Sequence, residues 1–482
     1  MDYNNYSDSG WADSHQHPQR GKKNEWRCPL SVVLVLLCVA VVATMMFTFT
    51  LTSQWVKQQD SQIIEEQQQT IDFLRDTLQN GDDFAKLEIL ANLLQQYSYY
   101  SNNFDTEQML DEILRAYTLA TGDDYAAYYT EEEYAALSSD NAGSGVGIGV
   151  SVVQESLTVS GQEFLTFNVI SIFQNAPAAT SDLRVGDRIY AIEIDGQYQS
   201  VAQMGGYDQA LSAIRGEVGS TAKLLAFRAD GNGGYTTLEV AIVRNTYTKE
   251  TVTYRVSESD PKVGVVYLAE FDMLTPTQFK EAVKALQAEG VESFVFDVRN
   301  NPGGDLQSIR AVLSYLLEDG DLILSAIDSN GNSAGSVYAG AVSHTGTYES
   351  CSVASDEVGM FADLKMVVLC NGNTASAAEV FTASLRDHKN VTIVGETTFG
   401  KGIMQRYYSI AAMTGGAYDG YVKMTTHAYV TECGITYHGT GIAPTEGYEV
   451  ILSEQAKEYH FYLLPESVDN QLQKAIEAVQ SK

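Results

Sequence analysis

The chain has 482 residues, 44% hydrophobic and 19% charged, which excludes both a disordered chain and a multi-pass membrane protein. Its 62 Asp and Glu outnumber 30 Lys and Arg, and the formal charge of −32 argues against nucleic acid as a partner, since phosphate affinity comes from Lys and Arg. At roughly 150 residues per domain, the length allows about two or three domains.

From the N-terminus, residues 1–27 read as a cytoplasmic tail and residues 28–56 as a transmembrane helix. Cys28 to Val56 carries no charge, and only three threonines interrupt the apolar run from Val32 to Leu51, enough to cross a bilayer of roughly 30 Å. Arg20, Lys22, Lys23 and Arg27 precede it and only Lys57 closely follows, so the positive-inside bias places the N-terminus in the cytoplasm. Trp26 and Trp55 mark the two ends as interfacial anchors. A cleaved signal peptide is the competing reading, but the run exceeds a usual apolar core and no A-x-A site ends it.

Residues 57–83, polar and Gln-rich, read as a stalk. Residues 84–140 form a helical region. Phe84, Leu87, Leu90, Ala91 and Leu94 recur at helical spacing, as do Met109, Ile113, Leu114 and Tyr117. The tyrosine-rich GDDYAAYYTEEEYAAL, Gly122 to Leu137, links onward. Residues 141–247 show short β-type runs (GVGIGVSVV, EFLTFNVISIF, DRIYAIEIDG, TAKLLAFRA) with one helical piece near Ala210 to Ile214, a small β-rich domain. Residues 248–482 alternate strands and helices. VGVVYLAEF, a helix near Thr277 to Ala288, SFVFDVR, a helix near Leu306 to Leu317, LILSAI, KMVVLC, a helix near Ala375 to Arg386 and VTIVG predict βαβ units. Cys28 and Cys38 lie in the apolar run, and Cys351, Cys370 and Cys433 permit at most one disulfide. Without CxxC, HExxH or EF-hand spacing, no metal is expected.

Three serine arrangements compete for chemistry. GNSAG, Gly331 to Gly335, matches the nucleophile-elbow string, but Asn330-Gly331 marks a hairpin turn instead. SDPK, Ser259 to Lys262, has S-x-x-K spacing, yet Pro261 disfavours the helix it needs, so it reads as an interdomain loop. The third runs from Asn371 to Gln405. There a buried strand ends in a polar turn, small residues start a helix at Ser376, and a lysine, Lys401, sits in FGKG. Backbone N–H groups at a helix N-terminus favour developing negative charge. The serine still needs a base, and burial can keep a lysine neutral at the pH of its work. Gln405 is placed to hold that amine. DVRNNPGGDL, Asp297 to Leu306, breaks a strand into glycines before a helix, so N–H groups there and at Ala377 could stabilise an oxyanion.

In order, TGDDYAAYYTEEEY, GVGIGV, NAPAATSDLRVGDRI, AIRGEVGS, DVRNNPGGDL, NTASAAEVFTASLRDH, VGETTFGKGIMQ and YHGTGIAPT resemble landmarks of the C-terminal processing peptidases, tail-specific Ser–Lys serine proteases with a PDZ domain. The resemblance runs from about Phe84 to the C-terminus, with Asp182 and the segment around Ser343 to Glu357 as departures. It implies an α/β, crotonase-like protease core with an inserted β-rich PDZ domain and helical N-terminal arms. It also implies Ser376 as nucleophile, Lys401 as general base, Gln405 as the residue orienting the lysine, and Gly303 and Ala377 as oxyanion donors. Gly147, Ile148, Gly149 and Val150 would receive a substrate's C-terminal carboxylate. The implied enzyme is a serine endopeptidase without cofactor, anchored in a bacterial cell membrane with its catalytic domain outside. It would cleave unstructured exported proteins with apolar C-terminal tails, and self-association into a homo-oligomer stays open. Rivals are a catalytically silent membrane-tethered PDZ scaffold, and a hydrolase using Ser333 with His427 or His438.

Overall fold

The computed structural model describes residues 84–481 except 205–206 and 232. The expected tail, transmembrane helix and stalk lie outside the described residues, among which no helix is long and apolar enough to cross a membrane. The chain divides into two compact units after Asp105. The described part of the first contains helix α1 (Ala85–Tyr97), where helical spacing predicts one.

The second unit opens with α2 (Thr106–Leu119), β1 (Ala127–Tyr129) and α3 (Glu131–Asn141). A β-rich module follows: β2 (Ser144–Gly147), β3 (Val150–Val159), β4 (Gln162–Ile172), β5 (Arg188–Ile194), β6 (Gln197–Ser200), α4 (Tyr207–Ile214), β7 (Thr221–Ala229), β8 (Tyr235–Val243) and β9 (Asn245–Thr248). Its antiparallel sheet has the order β3-β4-β5-β7-β8, with β6 on β5, so β3 is an edge strand. Phe167, Val169, Ile189, Ile192, Leu224 and Ile242 form its core with Ala210 and Ile214 of α4. The buried Arg244 guanidinium donates to the carbonyls of Ile214 (2.9 Å) and Ala213 (2.7 Å), satisfying the otherwise orphaned end of α4. The β2–β9 ribbon closes the module.

The α/β region comprises β10 (Val252–Val256), β11 (Val263–Leu268), α5 (Thr275–Ala288), β12 (Ser293–Asp297), α6 (Leu306–Leu316), β13 (Leu322–Ile327), β14 (Ser333–Tyr338), β15 (Lys365–Cys370), α7 (Ala377–Lys389), β16 (Thr392–Gly395), β17 (Ile403–Ser409), α8 (Ile410–Thr414), β18 (Tyr421–Val430) and α9 (Asn470–Gln480). The order β10-β11-β12-β15-β16 is parallel except for β10. The 257–262 segment is therefore the β10–β11 hairpin connection rather than an interdomain loop.

This sheet is buried on both faces, which explains the nearly unbroken apolar runs in its strands. Val266, Phe296, Val368 and Ile393 align in register and face the core shared with α5, α6 and α7. Their neighbours Val265, Val295, Val367 and Val394 face α9 through Leu472 and Ile476. The buried Arg299 guanidinium, just past β12, donates to Asp297 (2.6 Å) and to Asp469 at the cap of α9 (2.8 Å). A second sheet is built around β18, which pairs with β1, β13 and β17. The tyrosine-rich link is thus part of a sheet, and Tyr134 stacks on Tyr421 at 3.6 Å. Cys351, Cys370 and Cys433 are free thiols.

Candidate active site

The parallel strands β12 and β15 end side by side, and their loops, 298–305 and 371–376, meet beyond the carboxyl edge where open α/β sheets bind ligands. Asparagines join them. Asn300, held at φ 59°, donates its N–H to Asn371 Oδ1 (3.0 Å) and accepts from the side chains of Asn371 and Asn373, both at 2.9 Å. Ala375 N–H donates to the Asn301 carbonyl at 2.9 Å. The glycine turn is thereby pressed on the serine: a Cβ at Gly303 would lie 2.7 Å from Ser376 Cβ and 2.8 Å from Ala377 N. Only glycine fits this approach at φ 107°.

Ser376 stands at the N-cap of α7 with φ 56° and ψ −118°, a conformation that costs a non-glycine residue about 1–3 kcal/mol. Glu379, one turn along and fully buried, holds it there. Its Oε2 accepts from Ser376 N–H (2.9 Å) and Lys401 N–H (2.7 Å), its Oε1 from Gly400 N–H (2.7 Å) and the Thr398 hydroxyl (2.6 Å). One carboxylate therefore fixes the serine and the lysine loop together. S-x-x-E at a helix start is a capping-box signature, so the sequence carried a signal for Glu379.

Ser376, Ala377, Lys401 and Gln405 line one cavity of about 340 Å³ together with Gly304 and Lys423. Burial, then the Lys423 charge, lowers the Lys401 pKa from its usual 10.5, opposed by Asp123 and Glu379. Lys401 Nζ lies over the Tyr125 ring, 4.3 Å from its centroid. No described hydrogen bond joins Nζ to Ser376 or Gln405. Gln405 donates instead to the Thr425 hydroxyl (3.1 Å), which donates to Asp123 Oδ1 (3.0 Å). Asp123, Tyr125, Thr425 and Lys423 escape sequence reasoning because their meeting depends on β1 joining β18 across about three hundred residues.

The glycines divide. Gly303 N–H donates to Asn301 Oδ1 (2.8 Å), and it is Gly304 that lines the cavity beside Ala377. Gly147, Ile148, Gly149 and Val150 lie in the β-rich module and do not line the cavity. Ile148 is in that module's core, its carbonyl accepting from Ala178 N–H (2.8 Å). Gly149, at φ 74°, leads into the edge strand β3. Ser333 is exposed at the start of β14, and His427 Nδ1 is bonded to Thr426 Oγ1 (2.8 Å), so no Ser–His pair forms there.

Residues 262–447 match the family model described as peptidase family S41. The chain is 27% identical over 363 residues to the carboxy-terminal processing protease CtpA of Bacillus subtilis, covering 75% of this chain and 68% of that one. It is 28% identical over 348 residues to a carboxyl-terminal-processing protease of Picosynechococcus, covering 70% and 74%. The photosystem II D1 C-terminal processing protease superposes with a TM-score of 0.43 at 22% identity, covering 84% of this chain and 99% of that one. Residues 262–447 are thus a peptidase family S41 domain, and the chain is a relative of the carboxy-terminal processing proteases.

Proposed function

We propose that the chain is a serine endopeptidase in which Ser376 is the nucleophile and Lys401 the general base. The observation that carries this reading is the shared anchor: Ser376 and Lys401 line one cavity and hang from the single buried carboxylate of Glu379. Lys401 swings from Tyr125 toward Ser376 and takes the hydroxyl proton as Oγ bonds to the scissile carbonyl carbon. The N–H groups of Gly304 and Ala377 receive the oxyanion. Collapse breaks the C–N bond, and the Lys401 ammonium protonates the leaving amine. Water then attacks the ester while Lys401 accepts its proton, and Ser376 leaves with that proton restored. Gln405 and Asp123 position the wall through Thr425.

The β-rich module is read as a PDZ domain that captures C-terminal tails. β3 is the edge strand following the Gly147–Val150 loop, a place where a peptide can add a strand while its carboxylate meets backbone N–H groups. The apolar 28–56 run and its preceding cations support a bacterial membrane anchor with the peptidase outside. Substrates are unstructured exported proteins with apolar tails. The second reading, a silent scaffold, is favoured by Lys401 Nζ lying on Tyr125 rather than on Ser376.

The test is proteolysis by the full chain and its Ser376→Ala variant, on an unstructured protein ending in an apolar or a charged tail. Cleavage of the apolar-tailed protein that vanishes in the variant is expected. Equal cleavage by the variant would overturn the assignment, and tail binding without cleavage would favour the scaffold.

A further inference from the structure

Beyond the charge that lowers the Lys401 pKa, Lys423 has no part in the chemistry above. It lies in β18 opposite Ala127 of β1 and Tyr407 of β17, and it lines the cavity with Ser376 and Lys401. In a chain with 62 acidic and 30 basic residues, the part-buried lysines generally meet a carboxylate. Lys249 pairs with Glu270, Lys280 with Glu357, Lys389 with Glu318 and Lys474 with Glu477. Among the described residues, Lys401 and Lys423 are the part-buried lysines without an ion-pair partner, and both line this cavity. The Lys423 ammonium faces the Tyr129 ring at 5.6 Å, a contact that supplies no opposing charge.

Of the nearby carboxylates, Asp123 feels the Lys423 charge without forming an ion pair with it, and its oxygens and Asp305 Oδ1 are taken by other donors. Asp305 Oδ1, on the cavity wall, accepts from Gln307 N–H at 2.6 Å and caps α6. Asp123 accepts from Thr425 and from Tyr125 N–H (3.0 Å). Much of the remaining wall, including Leu137, Leu306, Ile309 and Val380, is apolar. A partly desolvated cation in such a wall is costly unless an anion meets it.

We propose that Lys423 is a specificity-determining residue of this cavity, pairing with a carboxylate of the bound polypeptide. The carboxylate is either the polypeptide's own C-terminus or an Asp or Glu side chain beside the scissile bond. The inference rests on the peptidase reading of the cavity, and binding is measured apart from cleavage so that the two can fail separately.

The test uses one unstructured peptide in three forms: free C-terminal acid, C-terminal amide, and amide with a single central Glu. Binding is measured by fluorescence anisotropy to the full chain carrying Ser376→Ala, with and without Lys423→Met, and cleavage to the full chain with native Ser376. A carboxylate-bearing form is expected to bind about tenfold more tightly than the neutral amide, the scale of one charge-assisted hydrogen bond. For the Glu form that ratio falls to within about twofold in Lys423→Met and is restored in Lys423→Arg, which keeps the charge; for the free acid the Lys423 share is lost, and what remains is the share of the tail-binding loop of the β-rich module. Which form shows the advantage tells a terminal from a side-chain carboxylate. The proposal is overturned if neither form has an advantage, or if neither advantage falls in Lys423→Met, including when that variant weakens all three peptides alike. A Lys423-dependent binding ratio without Ser376-dependent cleavage would refute the peptidase reading and leave the carboxylate site standing.

Discussion

Glu379→Gln is the sharpest perturbation of this site, because it changes one buried atom and almost no volume. The carboxylate accepts four hydrogen bonds, two on each oxygen. Gln retains one acceptor and turns an NH2 on the other pair. Its best orientation sends the NH2 to Thr398, whose hydroxyl can accept, and to Gly400, whose N–H cannot. One buried N–H is then opposed, at about 1–3 kcal/mol, and the two remaining bonds lose their charge assistance, for a total of about 2–4 kcal/mol. Glu379→Ala strands all four donors and should cost more. Chemical denaturation of each variant beside the parent measures this. Peptidase activity should fall by about 100-fold or more, the scale expected when reacting groups are displaced by about 1 Å. A Gln variant within about 0.5 kcal/mol of the parent and with near-parental activity would refute the shared-anchor argument.

Gly303→Ala forces a Cβ against Ser376 and Ala377 at φ 107°, so activity should vanish with a stability loss above about 1 kcal/mol; a fully active variant would show that the two loops do not touch. Lys401→Arg should be as inactive as Lys401→Met, because a guanidinium stays protonated; substantial turnover by the arginine variant would exclude the lysine as base. Because burial and Lys423 depress the Lys401 pKa, the folded chain binds fewer protons than the unfolded one between that pKa and 10.5. Stability and cleavage should both rise with pH through this window, and Lys401→Met should remove the corresponding stability increment. A rate independent of pH from about 6 to 10 would count against a lysine base. Asp469→Ala removes two charge-assisted hydrogen bonds from the Arg299 guanidinium while Asp297 still balances its charge, and should cost about 2–4 kcal/mol in denaturation, with Asp469→Asn less harmful.

Local periodicity located the helices well: the spacing near 277–288, 306–317 and 375–386 predicted α5, α6 and α7 to within a turn. Ser376 was legible because a strand, a polar turn and small residues signal a helix start, and Lys401 because it stands alone between glycines. The wall around them was not legible. Tyr125 and Asp123 were read as a link, since β1 has three residues and its partner lies near position 422. Gln405 was expected on the lysine and is bonded to Thr425, whose position depends on the β17–β18 register, with its shift next to Gln405. Gly303 and Gly304 were indistinguishable in sequence, and the Asn301 side chain, donating to the Leu268 carbonyl and accepting from Gly303, separates them.

The Arg299 clamp bears on the order in which the molecule is completed. Arg299 begins the loop that presents Gly303 and Gly304, yet one of the two carboxylates that bracket it comes from Asp469, 170 residues further along. During synthesis at the ribosome, the strands and the serine are made well before that aspartate emerges. A nascent chain stopped short of Asp469 still has Asp297 to balance the arginine's charge, but Nη1 and Nη2 lack the carboxylate that ties them to the C-terminal helix. The loop that carries Gly303 and Gly304 therefore gains its last hydrogen-bonded brace only when the C-terminal helix is made.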